Sequence, residues 1–317
     1  MRAVRFARYG GSEVLELVEH PDPRPAPGQV VIRMRAASIN PRDWMIRSGR
    51  YPFRFMLPKL PFVLGSDVAG VVEAVADDVE GLAPGDEVVA MVPSSDGFGA
   101  YAELVAVRAS VVAKKPAGVS FEDAGALPLA ALTALQALRD DGGLRAGQRV
   151  VVAGASGGVG HYGVQIARRL GASEVIGVCS AKNADFAREL GCDRVIDYRE
   201  ARYEDELRDV DVIFDAIGRT GFARAKKALG PKGVYVSTVP SAGLYVHALR
   251  SRLLPIGRRA AIVLVRSRRD DLEQLLAWMA DGDLRSVIDT REGLENVRAL
   301  HDHSRSFRTR GKNVIVA

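Results

Sequence analysis

Cysteine is nearly absent. Cys179 and Cys192 are the only two in 317 residues, a poor basis for a disulfide framework, and a reducing cytoplasm is the expected compartment. Long apolar runs are missing too. The longest, such as 260–265, fall far short of the ~20 residues a membrane helix needs, so no membrane partner is expected. The opening MRAVRFARYGG has an early arginine but no apolar core and no small-residue cleavage site, so no secretory signal is read there. A strong charge of one sign is also lacking: 44 basic and 39 acidic residues leave +5. The excess gathers in 250–269, where seven arginines occur without an acid. That stretch reads either as a phosphate or nucleic-acid footprint or as solvated surface arginines. The second reading is preferred, and no nucleic acid is expected, because no aromatic interleaves as a base-stacking platform requires.

What is present is ordinary globular material, 47% hydrophobic and 26% charged, in a chain long enough for two cores. Short β-rich runs at 14–19, 30–37, 68–75, 87–92, 100–105 and 111–114 are separated by PDPRPAPG at 21–28 and APGD at 83–86, which predicts a small barrel or sandwich. Ser120 with Glu122 and Asp123 starts a helix, and 129–139 continues at helical spacing. From residue 149 strand and helix alternate. Strands are predicted at 150–153, 174–179, 194–196, 210–215 and 233–238, and helices at 158–170, 184–190 and 222–229. This is an α/β pattern, with a doubly wound parallel sheet. Helices at 271–280 and 293–301 and a strand at 313–316 close the chain.

The segment VVAGASGGVG, 151–160, runs a strand into glycines and then a helix. Gly154, Gly157 and Gly160 are spaced three apart, unlike the commoner G-x-G-x-x-G. Glycine lets backbone amides approach a pyrophosphate, and a helix start adds its positive dipole end, so Gly154, Ser156, Gly157, Gly158, Val159 and Gly160 are predicted to cradle a dinucleotide. An NAD site places a carboxylate after the second strand, to accept from the ribose 2′-hydroxyl. Here that position holds Ser180, with Lys182 and Asn183 beyond it. A hydroxyl and an ammonium would bind a 2′-phosphate that a carboxylate would repel, so NADP(H) is expected over NAD. Tyr198, after the third strand, would cover the adenine or reach the same phosphate.

With SINPRDWMIRSG at 38–49, LGSDVAGVV at 64–72, GLAPGDEV at 81–88, GAYAEL at 99–104, LPLAALTALQAL at 127–138 and RGKNVIV at 310–316, the chain resembles the medium-chain dehydrogenase/reductase superfamily. The closer likeness is to its zinc-independent, quinone oxidoreductase-like branch. The resemblance implies a GroES-like β-barrel catalytic domain from 1–120 and 268–317, a Rossmann NADP-binding domain from 121–267, a cofactor in the cleft between them, and a homodimer. It places Thr133 near the nicotinamide, and Gly218 and Ser237, Thr238 and Val239 beside its carboxamide. Lys312 matches a basic motif, read as a phosphate contact or, preferentially, a solvated loop residue.

Zinc-dependent relatives carry cysteine where Asn40 stands and a His-Glu pair where Ser66 and Asp67 stand. Neither Asn40 nor Ser66 suits zinc, and no catalytic metal is expected. His301 and His303 read as a solvated helix end. Without zinc the implied chemistry is hydride transfer from NADPH to quinones or α,β-unsaturated carbonyls. Asn40 would line the cleft and donate a hydrogen bond, and Tyr51 would be a proton donor or a packed aromatic. Asp43 is read two ways, as a polar cleft residue or as the acid that organises a helix start. No convincing general acid is found. The rival readings are a non-catalytic NADPH-binding or RNA-binding regulator on the same fold, and a zinc alcohol dehydrogenase.

Overall fold

The computed structural model describes residues 1–52, 57–254 and 256–317. The chain divides into two units, one of Met1–Leu132 with Arg266–Ala317 and one of Thr133–Val265.

The first unit is mostly sheet. Strands β1 (Arg2–Phe6) and β2 (Glu16–Glu19) are followed by the long β3 (Gln29–Ser38), helix α1 (Pro41–Arg47) and the short β4 (Phe62–Val63). Then come β5 (Asp67–Val75), β6 (Glu87–Met91), β7 (Leu104–Arg108) and β8 (Val112–Lys114), helix α2 (Phe121–Ala126) and the start of α3 (Pro128–Leu135). One sheet runs β2-β1-β4. The larger one centres on β3, which pairs antiparallel with β5 along one edge. On its other edge β7 pairs with Gln29–Arg33 and the C-terminal strand with Ala36–Ser38. Alternate residues Val30, Ile32 and Met34 enter a core with Phe6, Leu64, Val88 and Tyr101, as a period-two pattern requires. Helix α2 begins where Ser120 Oγ accepts from the Asp123 amide at 3.0 Å. It lies on β3, β5 and the C-terminal strand, with Ala126 packed among Ala36 and Val314. The division between units therefore falls at Thr133 rather than at residue 121, because the apolar face of α2 is buried in the first unit.

The second unit alternates β9 (Arg149–Ala153), α4 (Gly160–Arg169), β10 (Glu174–Cys179), α5 (Ala184–Glu189), β11 (Arg194–Asp197), α6 (Tyr203–Glu206), β12 (Val210–Asp215), α7 (Phe222–Ala225), β13 (Leu229–Ser237), α8 (Ala242–Leu253) and β14 (Arg259–Ile262). The order is β11-β10-β9-β12-β13-β14, all pairs parallel. Strands such as RVVVA and VDVIFD are apolar almost throughout because helices cover both faces. The order reverses across β9, the switch point where doubly wound sheets bind ligands. Helix α7 ends at Ala225 rather than at residue 229, and three elements of this unit escaped the pattern reading: α6, and α8 and β14, which run into the arginine-rich stretch.

The chain returns to the first unit with α9 (Arg269–Ala280), β15 (Ile288–Glu292), α10 (Val297–Arg305) and β16 (Lys312–Val316). No helix among the described residues is long and apolar enough to cross a membrane. Cys179 and Cys192 are both buried, and burial raises their thiols to about 11 and about 12, so both are inert packed residues.

Candidate functional site

Two groups of polar residues stand out, one in each unit. In the first unit, α1 is opened by Asn40, whose side chain and that of Asp43 form a capping box. Asp43 is fully buried; its Oδ2 accepts from the Asn40 amide at 2.8 Å and from Tyr101 Oη at 2.7 Å. Of the two readings of Asp43, the structure shows the helix-start acid. Burial raises its carboxyl to about 6, against the pull of Arg42 and Tyr101.

That shift makes a pH prediction. The folded-state value lies above the ordinary 3.8, so Asp43 contributes stability that is complete below about pH 4 and is lost as pH rises through about 6. The size is on the order of 2–3 kcal/mol. Asp43→Asn, which can still accept from Tyr101, should remove this slope. Urea unfolding of both proteins between pH 4 and 7 checks it, and parallel curves would contradict it.

Asn40 is 1% exposed and its carboxamide is fully engaged. Its Nδ2 donates to Asp67 Oδ2 at 2.8 Å and its Oδ1 accepts from Lys312 Nζ at 2.6 Å. Asp67 also accepts from Ser38 Oγ at 2.6 Å and the Leu129 amide at 2.8 Å. The Lys312 ammonium lies 3.8 Å from Asp67 Oδ2 and reaches the Ile39 carbonyl at 3.3 Å. Two expectations are corrected here. Lys312 is neither a solvated loop lysine nor free to grip a phosphate: it is 3% exposed, and burial lowers its pKa against the opposing pull of Asp67 and Asp43. Asn40 has no spare N–H to offer, because its Nδ2 donates to Asp67 Oδ2 and also reaches the Ser38 carbonyl at 3.4 Å. Tyr51 packs against the core of this unit as a loop aromatic. His301 is fully buried beside Arg47, not solvated, and burial with that cation holds it at about 3. Sequence reasoning missed Ser38 and Tyr101; both lie far in sequence from the carboxylates they serve.

In the second unit the glycine turn is built as its residue types predict. Gly154 takes φ +85, and its carbonyl accepts from the Gly157 amide at 2.9 Å. A Cβ on Gly160 would sit 2.0 Å from that carbonyl oxygen. Helix α4 starts at Gly160, preceded by Val159. Among the described residues the Gly158 and Val159 amides meet no acceptor. Free amides at the start of a helix, with no side chain in the way, suit a pyrophosphate.

Beyond β10, Ser180 is 4% exposed, and its hydroxyl has no protein partner among the described residues. Lys182 is exposed. Asn183 Nδ2 donates to Ser156 Oγ at 3.0 Å, tying this corner to the glycine turn. Tyr198 is 52% exposed, with the Arg199 guanidinium 5.8 Å from its ring centroid. Asp197 accepts from the Ala181 and Arg199 amides at 2.8 and 2.9 Å; these two amide bonds lower its pKa. Arg199 was missed, although it directly follows the singled-out tyrosine.

At the ends of β12 and β13, Asp215 organises the remaining predicted residues. Its Oδ1 accepts from the Gly218 amide at 2.7 Å and the Ile217 amide at 3.1 Å; its Oδ2 accepts from Tyr235 Oη at 2.7 Å. Thr238 Oγ1 donates to the Ala216 carbonyl at 3.1 Å and the Val239 amide to Ser237 Oγ at 3.2 Å. Gly218 takes φ +74, and a Cβ there would meet Val239 at 2.3 Å. Thr133, on α3, is 6% exposed. Asp215 went unread, though an acid closing a strand just before a glycine loop is a legible signal.

Residues 26–117 match the alcohol dehydrogenase GroES-like domain family and residues 190–315 the zinc-binding dehydrogenase family. The chain is 32% identical over 326 residues to the chloroplastic quinone-oxidoreductase QR1 of Triphysaria versicolor, covering 99% of this chain and 98% of that one. It is 35% identical over 302 residues to the chloroplastic NADPH-dependent alkenal/one oxidoreductase of Arabidopsis thaliana, covering 92% and 72%. The crystal structure of Escherichia coli quinone oxidoreductase complexed with NADPH superposes with a TM-score of 0.85 at 28% identity, covering 100% of this chain and 98% of that one.

The zinc in one family description does not fit the side chains that stand here. Zinc takes thiolate, imidazole and carboxylate donors. Asn40 instead accepts from the Lys312 ammonium, Ser66 Oγ accepts from the Arg42 guanidinium, and Asp67 faces Lys312. Two cations thus adjoin the three positions, and among the described residues no three of His, Cys, Asp and Glu gather.

Proposed function

The chain belongs to the quinone oxidoreductase branch of the medium-chain dehydrogenase/reductase superfamily, and on that premise we propose that it is an NADPH-dependent, metal-independent reductase of quinones or α,β-unsaturated carbonyls. The observation that carries the coenzyme choice is the corner after β10. Lys182 and the Arg199 guanidinium have no ion-pair partner among the described residues, and the Asp197 carboxylate is held by two backbone amides. Such a corner favours a dianionic 2′-phosphate through charge-assisted hydrogen bonds.

Bound NADPH supplies the hydride. The Gly158 and Val159 amides and the start of α4 would hold its pyrophosphate. Asp215 fixes the Gly218 turn against Val239, a loop that would lie beside the nicotinamide. Asn40, locked by Lys312 and Asp67, donates nothing to substrate, and protonation of the reduced product falls to solvent.

The test is initial rates with NADPH and NADH over a panel of quinones and enones. NADPH should be preferred by roughly a hundredfold or more in kcat/KM. Lys182→Ala with Arg199→Ala should raise the NADPH Michaelis constant at least about tenfold, at ~1.5–3 kcal/mol per lost contact, and leave NADH unaffected. Equal use of the two coenzymes by the parent protein would sink the assignment of the corner. Absence of turnover over the whole panel would sink the reductase reading itself.

A further inference from the structure

Helix α8 begins at the C-terminal end of β13 and runs back beside the sheet, so its last turns lie at the opposite end from the glycine turn. There Arg258 Nε donates to the carbonyl of Leu229, the first residue of β13, at 2.9 Å. Between α7 and these turns is a cavity of about 260 Å³, below the ~300–1,000 Å³ of sites for drug-sized ligands and too small for a dinucleotide.

The walls of this cavity carry Lys226, His247, Arg250 and Arg258, and among the described residues no acidic side chain lines it. Among the described residues Lys226 and Arg250 have neither an ion pair nor a side-chain hydrogen bond, and the Nη groups of Arg258 have no partner. Three formal positive charges therefore converge without a counter-ion. The C-terminal end of α8 offsets them by only about half a charge. Apart from Ser251, the rest of the lining is apolar: Phe222 stands against His247 with ring centroids 4.9 Å apart, and Leu254 and Ile256 are 58% and 83% exposed. Ser251 fixes this geometry, donating to the His247 carbonyl at 2.8 Å and accepting from the Ala260 amide at 2.9 Å.

We propose that this cavity is a second binding site, for a phosphate ester carried on an apolar body. Arginine and lysine without protein partners suit the phosphate oxygens, and an aromatic and two aliphatic side chains suit what the phosphate is attached to. The source is either a soluble organophosphate or the headgroup region of an acidic lipid. The site is separate from the coenzyme corner, and its test does not depend on the reductase reading.

The experiment titrates the intact protein, in saturating NADPH, with phenyl phosphate and inorganic phosphate by calorimetry. In parallel it measures sedimentation with phosphatidylglycerol–phosphatidylcholine vesicles and with phosphatidylcholine alone. Either phenyl phosphate binds once per chain, at least about tenfold tighter than inorganic phosphate, or the acidic vesicles carry the protein down and the neutral ones do not. The first result identifies a soluble ligand and the second a lipid. Lys226→Ser with Arg250→Ser, which removes no side-chain hydrogen bond or ion pair among the described residues, should weaken either interaction by roughly tenfold or more and leave NADPH oxidation unchanged. Failure of both probes, unchanged binding in that variant, or displacement of phenyl phosphate by NADPH would overturn the proposal.

Discussion

Replacing Lys312 by methionine is expected to destabilise the first unit by about 3–5 kcal/mol, the usual cost of stripping one partner from a buried charge pair. Asp67 is 0% exposed, and Ser38, Asn40 and the Leu129 amide would still donate to it. Its formal charge, however, would lose the ammonium 3.8 Å away, and Asn40 Oδ1 would lose its donor. The loss should be largely repaired by adding Asp67→Asn. A neutral amide there removes the uncompensated charge, and the Asn40 carboxamide can turn to accept from it. Urea unfolding of the two single variants and the double variant measures the coupling, expected to exceed about 2 kcal/mol. A Lys312→Met protein within about 1 kcal/mol of the parent, or additive losses in the double variant, would show that this pair does not organise the unit.

The second large effect is on coenzyme binding. Gly160→Ala places a methyl group 2.0 Å from the Gly154 oxygen and 2.6 Å from its carbonyl carbon. Both obstacles are backbone, so no side-chain rotation relieves the clash and the turn itself must shift. Displacing the Gly158 and Val159 amides should weaken NADPH binding by roughly a hundredfold, about 2.7 kcal/mol. Fluorescence titration with NADPH reads the affinity directly, and far-UV circular dichroism shows whether the sheet survives. Undiminished affinity in a folded variant would mean that the pyrophosphate sits elsewhere.

The legibility of these features in the sequence follows from how local their causes are. The buried strands of the second unit announce themselves because a parallel sheet covered on both faces needs unbroken apolar runs, and 174–179 is found with its true bounds. The glycine turn is equally local, since Gly154 answers to its own left-handed φ and Gly160 to the backbone of Gly154 and Ala155. The Asn40–Asp43 capping box has a fixed spacing, which is why the helix-start reading of Asp43 was available. Strand β14 and helix α8 were hidden by arginines that mimic a solvated loop. Helix α7 was drawn too long because Leu229 suits a helix end as well as a strand start, and only the pairing of β12 with β13 decides between them. The burial of Lys312 could not be read at all: its partners Asn40 and Asp67 lie more than 240 residues upstream, and nothing beside Lys312 separates it from a surface lysine.

That separation bears on how the polypeptide matures. Strand β16 joins β3 at Ala36–Ser38, and its first residue brings the cation that balances Asp67, so the N-terminal β-structure is left with an uncompensated interior anion until Lys312 emerges from the ribosome. The contiguous second unit needs nothing from outside Thr133–Val265 to complete its sheet. Nascent chains should therefore acquire a protease-resistant second unit before a resistant first one, and removing 312–317 should unmake the sheet built on β3.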